Sequence, residues 1–149
     1  MAKTTIPAPN LPEAKNQARS FEALREAHQR EMFEDYVELI GDLIDTMGEA
    51  RVTDLAERLG VTPATVNSAL QRLVREGLVR KLPYRSIFLT DEGRALAVSS
   101  RKRHQLVVAF LRAIGVDQDV AEIDAEGIEH HLSEQTIAAF QRVVDQSNS

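Results

Sequence analysis

Between Arg51 and Arg94 the chain reads RVTDLAERLGVTPATVNSALQRLVREGLVRKLPYRSIFLTDEGR, and few folds accommodate that succession of local signals. Thr53 is placed to cap a short helix that buries Leu55, Ala56 and Leu59, and Gly60-Val61 supplies a tight turn. Thr62-Pro63 then opens a second helix, because proline suits the first helical position, where an N–H has no partner anyway. Its apolar face is Val66, Ala69, Leu70, Leu73 and Val74. Two short apolar runs, Leu78 to Leu82 and Ser86 to Leu89, joined through Pro83, Tyr84 and Arg85, predict a small β-hairpin. Helix, turn, capped helix and hairpin together form a winged helix-turn-helix. Thr62, Ala64, Thr65, Ser68, Arg72 and Arg75 of the second helix, with Arg85 of the wing, are the candidate DNA contacts.

Charge distribution supports that reading where net charge alone would not. The 149 residues carry a formal charge of -5, but residues 51 to 90 hold 7 basic against 3 acidic side chains. Residues 1 to 50 hold 5 against 10, and residues 91 to 149 hold 6 against 10. A basic middle suits phosphate, while the acidic flanks suit cations.

The rest of the chain reads as helix. Pro7, Pro9 and Pro12 mark residues 1 to 19 as a flexible arm. From about Ser20, apolar residues recur every three or four positions up to Gly48, a residue type that stops helices. The fold expected is mainly α: a winged helix-turn-helix DNA-binding domain with a two-stranded wing over residues 20 to 90, then an all-helical dimerisation and metal-binding domain over 91 to 149. With 43% hydrophobic residues, a packed core is expected. The start lacks a signal-peptide pattern and no run could cross a bilayer, so a cytoplasmic protein without a membrane partner is expected.

The chain has no cysteine, which excludes thiolate metal sites, disulfide scaffolds and cysteine nucleophiles. Any metal must be held by oxygen and imidazole. Asp35 and Glu38 are three apart and share one side of a helix, and Glu126, Glu129 and His130 do the same at i, i+3 and i+4. His104 lies between, on a helix from about Asp91 to Ile114. Taken singly, each group is an ordinary solvated or hydrogen-bonded side chain. Together, four carboxylates beside apolar neighbours such as Tyr36, Val37, Ile128 and Leu132 would repel one another and resist desolvation unless cations offset them. Two divalent ions would balance four carboxylates, and an oxygen-rich set with some imidazole suits Mn²⁺ or Fe²⁺.

The segments Glu34-Asp35-Tyr36-Val37-Glu38, Arg103-His104 and Asp124 to Ser133 (DAEGIEHHLS) resemble the metal-ligand motifs of the manganese transport regulators in the diphtheria-toxin-repressor family. The similarity runs over roughly residues 30 to 145. It implies a dimeric, metal-activated transcription factor that binds palindromic double-stranded operator DNA and represses manganese-uptake genes. It further implies a binuclear Mn²⁺ site, two ions per chain, made by Asp35, Glu38, His104, Glu126, Glu129 and His130. Asp35 and His130 would serve one ion and Glu38 and His104 the other, with Glu126 and Glu129 close to both. Iron-responsive relatives place methionine and cysteine where Asp35 and Glu129 stand, which favours manganese, with Fe²⁺ as the alternative ion. The resemblance also implies an N-terminal extension of about 30 residues beyond the shortest members.

Other readings stand beside this one. An iron-responsive or metal-independent winged-helix regulator would share the DNA-binding half. A dinuclear hydrolase could use the same carboxylates to activate water, but it leaves the basic helix-turn-helix unexplained and lacks a nucleophile or substrate-orienting set. The chain is therefore expected to be no enzyme and to take no small-molecule substrate.

Overall fold

The structure, a computed structural model, describes residues 6–83 and 86–149. Tyr84 and Arg85, the latter a candidate DNA contact, lie outside these residues, as do residues 1–5 of the expected arm. Helix α1 spans Ala14–Met47, α2 Val52–Leu59 and α3 Pro63–Arg75. Strands β1 (Val79–Lys81) and β2 (Ile87–Leu89) precede α4 (Asp91–Ala113) and α5 (Gln118–Ile128). A 3-10 turn, Glu129–His131, then leads into α6 (Glu134–Ser147). No helix among the described residues is long and apolar enough to cross a membrane.

Helix α1 begins at Ala14, inside the stretch expected to be a flexible arm. Past Pro12 the run Glu13-Ala-Lys-Asn-Gln-Ala-Arg contains mainly good helix formers and no further breaker, so the helix propagates outward from its buried part. Gly48 ends it in the left-handed conformation at φ 84, which suits a residue without Cβ. Helix α2 starts two residues earlier than expected: Arg51 is its extended N-cap, and Thr53 lies within the first turn. In α3, Thr62 caps through its hydroxyl, which accepts from the Thr65 N–H at 3.2 Å. Val66, Ala69, Leu70 and Leu73 are buried as expected, whereas Val74 is 44% exposed. It follows Leu73 by about 100° around the helix and so falls off the apolar stripe. The wing is antiparallel, with Val79 opposite Leu89 and Lys81 opposite Ile87, and each strand is shorter than the apolar run that predicted it.

One core cluster joins α1 to the helix-turn-helix and wing through Val37, Ile40, Leu55, Val66, Leu70, Leu73 and Ile87. A second, smaller cluster gathers Val107, Val108, Ala121 and Ala125, with Phe140 packed against it and the Phe110 ring stacked on that of Phe140 at 3.7 Å. Between the clusters, α1 and α4 run side by side in opposite directions and are tied by a ladder of polar contacts. Its rungs are Asp45 with Arg94 (3.5 Å), Asp42 with Arg101, Glu38 with Ser100 (3.1 Å), and Glu34 with Arg103 (3.0 and 2.9 Å). The start of α4 is seated firmly on the wing. The Thr90 hydroxyl donates to the Gly77 carbonyl at 2.6 Å, and a Cβ on Gly93 would meet the Leu78 carbonyl oxygen at 2.0 Å. Only glycine fits there without displacing backbone.

Candidate metal centre

Four elements converge on one polar cluster. Helix α1 contributes Glu31, Glu34, Asp35 and Glu38, α4 contributes Ser100, Arg103 and His104, α5 contributes Glu122 and Glu126, and the 3-10 turn contributes Glu129, His130 and His131. The expected shared helical face of Glu126, Glu129 and His130 is not what forms. Helix α5 stops at Ile128, and the tighter turn that follows rolls Glu129 and His130 inward, both 1% exposed, while 64% of the Glu126 side chain remains open.

Glu129 sits at the centre. Its Oε1 lies 3.2 Å from His130 Nε2, and its Oε2 lies 3.1 Å from His104 Nδ1. None of these approaches has hydrogen-bonding geometry. Among the described residues, the buried side-chain nitrogens and oxygens without a hydrogen-bond partner are His104 Nδ1, both oxygens of Glu129, and His130 Nε2. Four buried polar atoms left without hydrogen-bond partners are costly in a protein interior. The same four atoms are the donors that a divalent cation would use, so the residues fit a metal.

Two ligand groups can be drawn from this cluster. In one, Glu31, Asp35 and His130 each offer an atom within 4.8 Å of the others; in the second, His104, Glu126 and Glu129 do. Asp35 Oδ1 is 3.2 Å from His130 Nε2, and Glu126 Oε1 is 3.6 Å from His104 Nδ1. Five of the six residues expected from the sequence thus fall into close contact around Glu129. Glu38 stands apart from both groups and accepts the Ser100 hydroxyl at 3.1 Å. Burial raises its pKa, and Glu126 and Asp35 add to the effect, against the lowering influence of Ser100 and Arg101.

Each imidazole is oriented by a carboxylate on its other nitrogen, a role that sequence reading did not assign. Glu34 Oε2 lies 2.6 Å from His130 Nδ1 and is held from behind by Arg103. Glu122 Oε2 lies 2.8 Å from His104 Nε2. A carboxylate at the far nitrogen fixes the ring and aims the remaining lone pair at the cluster. Burial works to raise the Glu34 pKa, but the hydrogen bonds from His130 and Arg103 bring it below the ordinary value. Burial would lower His130, yet Asp35, Glu34 and Glu129 overcome it and push it up to about 10. Burial raises Glu129 to about 7, with Glu126 and Glu38 adding to the rise and the two histidines opposing it.

Of the residues expected to contact DNA, all but Arg85 lie among the described residues. Thr62, Ala64, Thr65, Ser68, Arg72 and Arg75 are all exposed on α3 or at its cap. Asn67 is engaged by Lys81 of the wing, Nζ to Oδ1 at 3.4 Å.

The chain was compared with known proteins. Residues 30–87 match the family described as iron dependent repressor, N-terminal DNA binding domain. Residues 90–148 match iron dependent repressor, metal binding and dimerisation domain. The transcriptional regulator MntR of Escherichia coli O6:H1 is 54% identical over 120 residues, covering 80% of this chain and 77% of that protein. MntR of Salmonella typhimurium is 48% identical over 137 residues, covering 92% and 87%. A solved manganese-dependent transcriptional repressor in complex with manganese superposes with a TM-score of 0.67 at 29% identity, over 76% of this chain and 52% of its own. The chain thus spans about half the length of that solved structure and most of the length of the MntR relatives.

Proposed function

The chain belongs to the iron-dependent repressor family as an MntR-type transcriptional regulator, and on that premise we propose that it is a manganese-responsive repressor whose binuclear Mn²⁺ centre controls operator binding by a homodimer. The ligands are Asp35, Glu38, His104, Glu126, Glu129 and His130. The observation that carries this reading is Glu129: a buried carboxylate whose two unpartnered oxygens face two unpartnered imidazole nitrogens on opposite sides. A carboxylate so placed is suited to serve two cations at once. The donors are all oxygen and nitrogen, the set that favours Mn²⁺ or Fe²⁺ over softer ions.

Cations bound there supply positive charge that offsets the repulsion among Asp35, Glu38, Glu126 and Glu129. The chain's own residues set what that binding can move. Helices α1 and α4 are already tied by the Glu34–Arg103, Glu38–Ser100, Asp42–Arg101 and Asp45–Arg94 rungs. The 3-10 turn and the end of α5 meet that pair through the ligand side chains as well as through core packing. Ligation would therefore fix α5 and the turn against the α1–α4 pair, more than it would join the two halves of the chain, divided near residue 90. Helix α5 bears Val120 and Ile123, the latter 73% exposed, an apolar face suited to a second copy. Two copies joined there would present two α3 helices, with Thr62, Ala64, Thr65, Ser68, Arg72 and Arg75 toward successive major grooves about 34 Å apart. Arg85 of the wing belongs to the same proposal.

Operator binding titrated with Mn²⁺, Fe²⁺ and Zn²⁺, beside calorimetry that counts ions per chain, tests the reading. Two Mn²⁺ per chain and Mn²⁺-dependent operator binding are expected. A chain that takes up no Mn²⁺, or binds its operator equally without it, would refute it. Arg72→Ala and Arg75→Ala should each weaken operator binding and flatten its salt dependence without changing Mn²⁺ uptake.

A further inference from the structure

Glu31 occupies the turn of α1 immediately before Asp35, four residues away and on the same helical face. It is not among the six residues that the resemblance to the family supplies. Its carboxylate, that of Asp35 and the imidazole of His130 each offer an atom within 4.8 Å of the others. His130 Nε2, which Asp35 Oδ1 approaches at 3.2 Å, is buried without a hydrogen-bond partner. On its outer side, Glu31 Oε2 lies 3.2 Å from His131 Nε2, and the His131 ring packs edge-on against His28 at 5.1 Å. The neighbouring Arg30 reaches the His130 carbonyl at 3.4 Å, so this part of α1 is fastened to the turn on both sides of Glu31. An open cavity of about 270 Å³, bordered by His28, Glu31, Asp35 and Leu59, leads from solvent to the same carboxylates.

We propose that Glu31 is a seventh metal ligand, which closes the solvent side of the ion held by Asp35 and His130 and leaves His131 to do so. The proposal rests on the binuclear reading above and adds a residue to it. Glu31 and His131 are both partly exposed, so the ion pair that must break is a weak, solvent-screened one. A carboxylate has more to gain beside a divalent cation than beside a partly solvated imidazole. The additional oxygen also bears on selectivity. Zn²⁺ is satisfied by four ligands, whereas larger, harder ions accept more oxygens, so Glu31 should favour Mn²⁺ over Zn²⁺.

The test uses the full chain carrying His104→Ala, which leaves the Asp35–His130 half to be titrated separately with MnCl₂ and ZnCl₂ by calorimetry. Adding Glu31→Gln should raise the Kd for Mn²⁺ about tenfold while that for Zn²⁺ stays within about threefold. Adding His131→Ala instead should leave Mn²⁺ binding intact or slightly tighter, because the competing partner is gone. Equal losses from Glu31→Gln and His131→Ala would mark the pair as merely structural and overturn the proposal. So would an unchanged Mn²⁺ affinity in Glu31→Gln. If the His104→Ala chain takes up one Mn²⁺ that is lost on Asp35→Ala, the underlying site stands whatever Glu31 does. If it takes up none, the half-site reading fails and the proposal fails with it.

Discussion

Around His130, the carboxylate that orients the ring is covered and clamped. Glu34 is 1% exposed, grips Nδ1 at 2.6 Å and is itself gripped twice by Arg103. Around His104 the corresponding support is Glu122, half of whose side chain faces solvent and whose own further partner is Gln118 on the same helix. Glu126, the remaining carboxylate on that side, is more open still. One half of the centre is therefore preorganised across three elements, and the other is assembled from the surface of α5. A ligand set built this way should bind its first ion where the geometry is already fixed, with the second following as α5 settles. Preorganisation lowers the ordering entropy that each ligand must lose on binding.

This contrast can be broken most severely at the group the halves share. Glu129→Ala should remove both ions and lower Mn²⁺ affinity by on the order of a hundredfold or more, since the oxygens facing both imidazoles go together. Circular dichroism and sizing should show a folded chain. Two ions still counted by calorimetry would mean that Glu129 does not serve both. Next in size is the contrast between the histidines. His104→Ala should leave one tightly bound ion, whereas His130→Ala should leave none that is tight. Spin-resonance titration giving the same count for both variants would erase the distinction between the halves.

The clamp itself comes third. Glu34→Gln removes the charge that faces Arg103 and releases the His130 ring. It should cost about 2 to 3 kcal/mol in denaturant unfolding, because Arg103 is three-quarters covered and loses its partner. It should also weaken the first ion by about 10- to 100-fold. A loss of stability with full metal affinity would reduce Glu34 to a structural role.

Proton competition sharpens the same picture. With its pKa raised to about 10, His130 carries both ring protons at neutral pH, and Glu129, raised to about 7, is half protonated there. Ligation needs both sites free, so rising pH removes competitors and affinity climbs. The apparent Kd should fall steeply as pH rises toward 7 and less steeply above it, where His130, and His104 in which the lowering effect of burial is overcome by Glu122, Glu129 and Glu126, still release protons. Calorimetry in buffers of different ionisation enthalpy would read the released protons directly, and a flat profile would contradict the assignment. The smallest effect belongs to the open half. Glu122→Gln should change Mn²⁺ affinity by no more than about threefold, because an exposed carboxylate positions His104 only loosely. A loss as large as that of Glu34→Gln would show the halves to be equivalent.

Much of this centre was legible as residue types at helical spacing. Asp35 and Glu38 do share α1, His104 does sit on α4, and the recognition helix starts at Thr62-Pro63 as its sequence suggests. The turn at Glu129 was not legible, because i, i+3 and i+4 spacing reads the same whether the helix continues or tightens. Nor was the support of the histidines. Glu34 meets Arg103 across 69 residues and His130 across 96, and no local pattern distinguishes a buried glutamate in an acidic run from its exposed neighbours. Glu31 fell outside the reading because the family motif begins only at Glu34.

The ladder between α1 and α4 has a consequence for ionic strength. Its rungs change character along its length: the pairs Asp45–Arg94 and Asp42–Arg101, nearest the wing, are about half exposed, whereas Glu34–Arg103, nearest the metal centre, is not. Salt screens exposed pairs over a Debye length of about 8 Å at physiological strength and reaches covered ones far less. Added salt should therefore loosen the wing end of the helix pair while the end at His130 keeps its geometry. Operator affinity measured against salt would then contain two slopes, one from counterions leaving the DNA phosphates and one from the protein's own softening joint. Asp42→Asn combined with Asp45→Asn removes the second and leaves the first to be counted alone.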